Sequence, residues 1–299
     1  MDTTNNEQTY LLSGQTTELI EASGLWYKDA LLNNSNNKPI RWVSDSYLTP
    51  QDSDNASTII TYSFPGLDGP TVHDELGEIV STPFSSQQIL DIRLALEEVS
   101  KYINVTFVEV NEVDEKVGIL RLAIKTIYDE NGLYRPGVAA TADPPSSEAR
   151  GGDIWFNKGS EELDFSKGLV VNSNPFPPVS ILYHEVFHAL GVEHPNDHEL
   201  IAFDEEKKYV NYTVMATGEF SEEPLNNLGG DTGVEINPAP NPMVYDIAPL
   251  QHLYGANMTY NIDDTVYSFD PETPSIETIW DAGGTDTLGI AYGATIENV

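Results

Sequence analysis

Residues 184–194 read HEVFHALGVEH, and this stretch decides what the chain can be. His184 and His188 stand four apart, so on a helix both imidazoles project from one face and can grip a single ion. Glu185, beside the first, is placed to reach over a metal-bound water as general base. Gly191 permits the sharp turn that ends the helix, and His194 then swings back as a third ligand. Three nitrogens leave a fourth position open to water, the arrangement of a catalytic zinc; a structural zinc takes four protein ligands, and no cysteine exists to complete that set. The chain holds only 6 His, and by residue frequencies the pattern arises by chance on the order of once in 10⁵ such chains. One catalytic Zn2+ is therefore expected, on a helix over 179–192.

Working outward, the segment 58–64 (TIITYSF) is β-branched and aromatic, ends at Pro65, and reads as a strand. Ser85 and Ser86 precede a run in which Ile89, Ile92, Leu96 and Val99 recur at helical spacing, an amphipathic helix with a serine cap. Strands are expected over 105–110, 118–124, 137–142 and 153–157, the last two separated by the turn-rich DPPSSEARGG. A further helix over 246–254 closes on Gly255, whereas 196–242 is irregular. The fold class read from this order is α/β (α+β), with helices around a small mixed sheet. The expected division is a polar N-terminal arm or propeptide over 1–24, a catalytic domain over 25–258, and the start of a β-rich module over 259–299.

Composition narrows the partners. Asp and Glu number 48 against 14 Lys and Arg, a net charge of -34. Such a surface repels phosphate backbones and anionic bilayers, so nucleic acid and membranes are not expected partners. No apolar run approaches the length of a membrane span, and the polar N-terminus lacks the apolar stretch of a signal peptide. Without cysteine, neither disulfides nor a thiol nucleophile are available.

The zinc stretch resembles the signature of the metzincin peptidases, which also carry a methionine-containing turn; YTVMATGEF supplies Met215 for that role. Within that clan the chain is most similar to the bacterial serralysins. The likeness rests on Pro195 after the third histidine and on DIAPLQHLYGAN (246–257), DTVYSF (264–269), WDAGGTDT (280–287) and ATIEN (294–298). It is weaker at DALL (29–32), TYSFP (61–65), NVTFVEV (104–110) and GGDIWFN (151–157). Matrixins and astacins share the zinc stretch but do not explain the C-terminal segments. The resemblance implies a mostly parallel sheet above the cleft, an edge strand (137–142) that aligns an extended peptide, and hydrolysis of protein substrates by a secreted monomeric endopeptidase. It also implies structural Ca2+, bound by Asn261, Asp263, Thr265, Asp281, Gly283 and Asp286, with a second site from Gly284, Asp286, Thr295 and Glu297. Read by themselves, those residues form only an acidic turn.

Two departures from the family pattern stand out. Thr217 occupies the position, two after the methionine, where relatives carry a tyrosine that reaches the metal. The chain also stops at Val299, where relatives continue into calcium-binding repeats and a C-terminal export signal, so a truncated form is expected. These departures support the alternative of a catalytically weak or silent zinc- and calcium-binding surface module. Glu185 speaks against it, because a chain that merely holds zinc has no use for a carboxylate there.

Overall fold

The structure, a computed structural model, describes residues 16–32, 34–35, 38–44, 57–66, 81–112, 117–129, 131–148, 150–160, 178–195, 197, 201–207, 212–216, 237–238, 241–269 and 275–289. In chain order the elements are β1 (Thr16–Leu19), α1 (Trp26–Asp29), β2 (Asn34–Ser35), β3 (Lys38–Val43), β4 (Thr58–Ser63), β5 (Ser81–Thr82), α2 (Ser86–Tyr102), β6 (Val105–Glu109), β7 (Leu120–Lys125), β8 (Ala140–Ala142) and β9 (Ile154–Asn157). There follow α3 (Pro178–Leu190), β10 (Asn237–Pro238), α4 (Val244–Tyr254), β11 (Val266–Ser268), β12 (Ser275–Ile276) and β13 (Thr287–Gly289).

The main sheet runs β6-β4-β7-β9-β8. Its β4–β6, β4–β7 and β7–β9 pairs are parallel. Strand β8 lies antiparallel on β9 at one end, and β5 lies antiparallel on β7. The mixed, mostly parallel sheet of the expected fold class is therefore present. The strands that form it are the apolar runs, as expected where both faces are covered: all four residues of β9 are buried, as are Leu120, Leu122, Ala123 and Ile124 of β7. Helix α2 turns Ile89, Ile92, Leu96 and Val99 inward. Its N-terminus is closed by a capping box, in which Ser85 Oγ accepts from Gln88 N at 3.3 Å and Gln88 Oε1 accepts from Ser85 N at 2.8 Å. Just after β6, buried Glu112 accepts two bonds from Arg121 of β7 at 2.9 Å each and one from Ser63 Oγ of β4 at 2.8 Å.

Two stretches differ from the sequence expectations. Within the arm 1–24, residues 16–24 are docked: β1 pairs antiparallel with β3, and the Asp29 carboxylate accepts from Ser23 N and Gly24 N, both at 2.8 Å. The strand expected over 137–142 is confined to Ala140–Ala142, because Arg135 O and Val138 O are taken by the Asn157 side chain instead of a ladder. In the C-terminal part, β11 pairs with β13 and β10 with β12, both parallel. Among the described residues no helix is long and apolar enough to cross a membrane.

Candidate metal centre

Helix α3 buries Leu182, Tyr183, Val186, Phe187, Ala189 and Leu190, and this burial aims His184 and His188 at a common point. The helix ends in a Schellman turn: Val192 N donates to Phe187 O at 2.9 Å and Gly191 N to His188 O at 3.0 Å. Gly191 adopts φ +106°, and a Cβ there would lie 2.7 Å from Ile40 O, so both conformation and space demand glycine. The chain then pairs with residues after α1, through a bridge between Leu32 and Val192 and a 2.8 Å bond from Glu193 N to Leu31 O, which returns His194 to the helix. Two further donors seal the helix end, Trp42 Nε1 on Ala189 O and Tyr254 Oη on Leu190 O, both at 2.8 Å.

The three Nε2 atoms stand 3.1 Å (His184–His194), 3.1 Å (His184–His188) and 3.0 Å (His188–His194) apart. Every Nδ1 faces a group that only accepts: Val214 O for His184 and Val192 O for His188, both at 2.8 Å, and Asp197 Oδ2 for His194 at 2.7 Å. Those acceptors fix the ring protons on Nδ1. Burial pushes His184 down to about 4 and His188 down to about 3, so both rings are neutral at physiological pH. Their bare Nε2 lone pairs therefore confront each other with no proton to share, a repulsion that a cation relieves. Nitrogens bound at zinc's usual distances stand about 3.3 Å apart in tetrahedral geometry, within a few tenths of an ångström of the spacing found. These three residues could hold a metal ion, and they are the one such group among the described residues.

Glu185, next along α3 to His184, is buried, and its Oε2 has no hydrogen-bond partner. Burial alone raises its carboxyl to about 8; a cation in the triad would pull it back toward the ionised form. Met215 is fully buried in a turn spanning 213–216, next to the Val214 carbonyl that holds His184. Thr217 lies outside the described residues. Tyr212 is half-buried, with Lys207 Nζ 4.3 Å over its ring.

The expected calcium residues are also drawn together. Asp286 Oδ1 accepts from Thr265 N at 3.0 Å, Asp264 Oδ1 from Thr285 N at 2.8 Å, and Thr265 Oγ1 donates to Asp263 O at 3.0 Å. Asp281 accepts from Gly283 N at 3.0 Å and from Tyr267 Oη at 2.6 Å, and Asn261 Nδ2 donates to the same Tyr267 oxygen at 2.8 Å. Gly284 has φ +99° and faces Asp263 O, leaving no room for a Cβ. Thr295 and Glu297 lie outside the described residues. Sequence reasoning did not find the acceptors behind the rings. Val192 and Val214 act through backbone carbonyls, which carry no side-chain signal; Asp197, three residues after His194, was the one legible member.

Compared with known proteins, the chain is 27% identical to serralysin B of Dickeya chrysanthemi over 82% of its length and 53% of that protein. It is 28% identical to a serralysin of Proteus mirabilis (77% of the chain, 49% of the relative) and 31% identical to a serralysin C of Dickeya chrysanthemi (71% and 45%). The chain thus spans about half the length of the relatives it matches. No family model matches it.

Proposed function

Because the chain is serralysin-like over most of its length, we propose that it is a secreted zinc-dependent endopeptidase acting on protein substrates. The observation that carries this reading is the triad itself: three Nε2 atoms within 3.0–3.1 Å of one another, with Glu185, the residue after His184, buried and its Oε2 without a partner. His184, His188 and His194 would hold the zinc, which when bound would supply Lewis acidity toward the scissile carbonyl and a nucleophilic water at neutral pH. Glu185 would serve as the general base toward the attacking water and would return the proton to the departing amine. Strand β8 presents a free edge among the described residues and packs on α3, so an extended substrate can pair with it as an added strand. Pairing through backbone groups tolerates many side chains and suits a monomeric enzyme of broad specificity. In the C-terminal module, Asp281, Asp286 and their neighbours bind calcium.

Casein hydrolysis and zinc content together test this. Glu185→Gln should keep close to one zinc per chain yet lose about 10²–10⁴ in turnover, the usual share of a general base. His188→Ala should lose the zinc. A Glu185→Gln protein with native turnover would overturn the assignment of the base, and full zinc retention by His188→Ala would place the metal elsewhere.

A further inference from the structure

The buried carboxylate of Asp246 does more than its own helix requires. It lies in the first turn of α4, where its Oδ2 accepts from Met243 N at 2.8 Å and so caps that helix. The same Oδ2 also accepts from Val214 N at 3.0 Å, and Oδ1 accepts from Thr213 Oγ1 at 2.5 Å. Both Asp246 and Thr213 are wholly inaccessible to solvent. Thr213 Oγ1 in turn accepts from Met215 N at 3.1 Å. That N–H belongs to the Val214–Met215 peptide, whose carbonyl accepts from His184 Nδ1 at 2.8 Å.

The bonds form one chain with a single polarity: imidazole N–H to carbonyl, peptide N–H to hydroxyl, hydroxyl to carboxylate. Every donor points toward Asp246. Aligned links of this kind polarise one another in a low-dielectric interior, so negative charge at the carboxylate increases the electron density on the Val214 oxygen. A stronger acceptor at Nδ1 fixes the ring's tautomer and makes its Nε2 a better ligand. His188 supplies an internal comparison. Its acceptor, Val192 O, belongs to a peptide whose N–H, that of Glu193, ends on the neutral Leu31 carbonyl. The two helix-borne imidazoles thus differ in what stands behind them, a buried anion for one and a plain backbone for the other.

We propose that Asp246 is a positioning residue of the metal centre, acting through Thr213 and the Val214–Met215 peptide to orient His184 and strengthen it as a ligand. This rests on reading the triad as a zinc site, and it adds a residue 52 positions beyond the last of the three histidines.

The test uses the full chain with zinc bound. Thr213→Val interrupts the chain at the hydroxyl while leaving both backbone bonds to Asp246 Oδ2; Thr213→Ser restores it. Chelator competition should show zinc affinity falling about 10- to 100-fold in Thr213→Val and in Asp246→Asn, and staying within about threefold of the wild type in Thr213→Ser. Ring-proton NMR of the zinc-loaded wild type should place the His184 Nδ1–H downfield of that of His188, and in Thr213→Val only the former should move upfield. Unchanged affinity in Thr213→Val, or equal movement of both rings, would reduce Asp246 to a structural cap and overturn the proposal. Should the variants not fold, the wild-type spectrum decides: a His184 proton no further downfield than that of His188 refutes the relay. A wild-type protein that binds no zinc would defeat the metal reading itself, a distinguishable result.

Discussion

Replacing Gly191 by alanine probes the turn on which the candidate metal centre depends. At φ +106° an L residue is held in a sparsely populated region, which costs about 1–3 kcal/mol. The added Cβ would also lie 2.7 Å from Ile40 O, 3.4 Å from Leu253 Cδ1 and 3.6 Å from Pro145 Cγ. Ile40 cannot easily withdraw, because it sits in β3 opposite Leu19 of β1. Strain and overlap together should cost about 2–4 kcal/mol. At about 2–4 °C per kcal/mol for a domain of this size, the metal-free protein should melt roughly 5–15 °C lower. The turn also carries Val192 O, which orients His188, and it leads to His194, so the rise in melting temperature on adding zinc should shrink as well. Two controls separate the causes. Gly137 has neither a positive φ nor a neighbour within 4 Å of a Cβ, so Gly137→Ala should stay within about 0.5 kcal/mol of wild type. Gly132 has φ +75° in open space, so Gly132→Ala isolates the conformational cost, about 1 kcal/mol. Melting curves in chelator and in zinc would decide. If Gly191→Ala melts with Gly137→Ala, the reasoning from turn to metal centre is wrong.

Burial raises Asp153 to about 8, against an ordinary carboxylate near 3.9 in the unfolded chain, so the folded protein keeps a proton there that the unfolded chain releases. Its contribution to stability is present below about pH 4 and is lost as pH rises toward 8, by an amount on the order of a few kcal/mol. The stabilisation of Asp153→Asn over wild type should therefore grow between pH 5 and pH 8, measured by urea unfolding; a constant difference would show that Asp153 titrates normally. If the residues around Asp281 and Asp286 bind calcium as proposed, millimolar calcium should raise the melting temperature, and Asp286→Ala should abolish most of that rise. A melting curve indifferent to calcium would leave the 261–286 segment as a hydrogen-bonded turn without a metal.

The elements legible in advance were those whose side chains declare a period. Helix α2 followed from Ile89, Ile92, Leu96 and Val99 with Ser85 before them, and α3 from the spacing of its histidines. Strands β4, β6, β7 and β9 were apolar or β-branched runs. Strand β3 escaped because KPIRWV mixes Lys38, Pro39 and Arg41 with Trp42, yet its register against β1 and the burial of Trp42 make it a strand that also seals α3. At the candidate metal centre the three histidines carry a sequence signal while their supports do not. Val192 and Val214 contribute only carbonyls, and Asp246 reads as an ordinary helix-start acid until the fold brings the turn 213–216 against it. Tertiary contact, not local pattern, turns those residues toward the site.

The treatment of buried carboxylates then separates structure from chemistry. Taking a charge out of water is costly unless donors or a cation compensate it. Asp29 has two backbone donors, Glu112 has Arg121 and Ser63, and Asp246 has three donors, so each is accounted for by the fold around it. Among the described residues, buried carboxylate oxygens without partners occur in two places, Asp153 and Glu185. Asp153 lies where Arg121 and Lys125 already offset part of its charge. Glu185 has no such cation, and burial is the sole influence on its carboxyl. It stands instead one residue from the first of three imidazoles whose lone pairs converge. A cation held there offsets two costs at once, the repulsion among the nitrogens and the desolvation of the carboxylate, and leaves Glu185 with a free oxygen for a proton. That free oxygen is what the proposed general base would require.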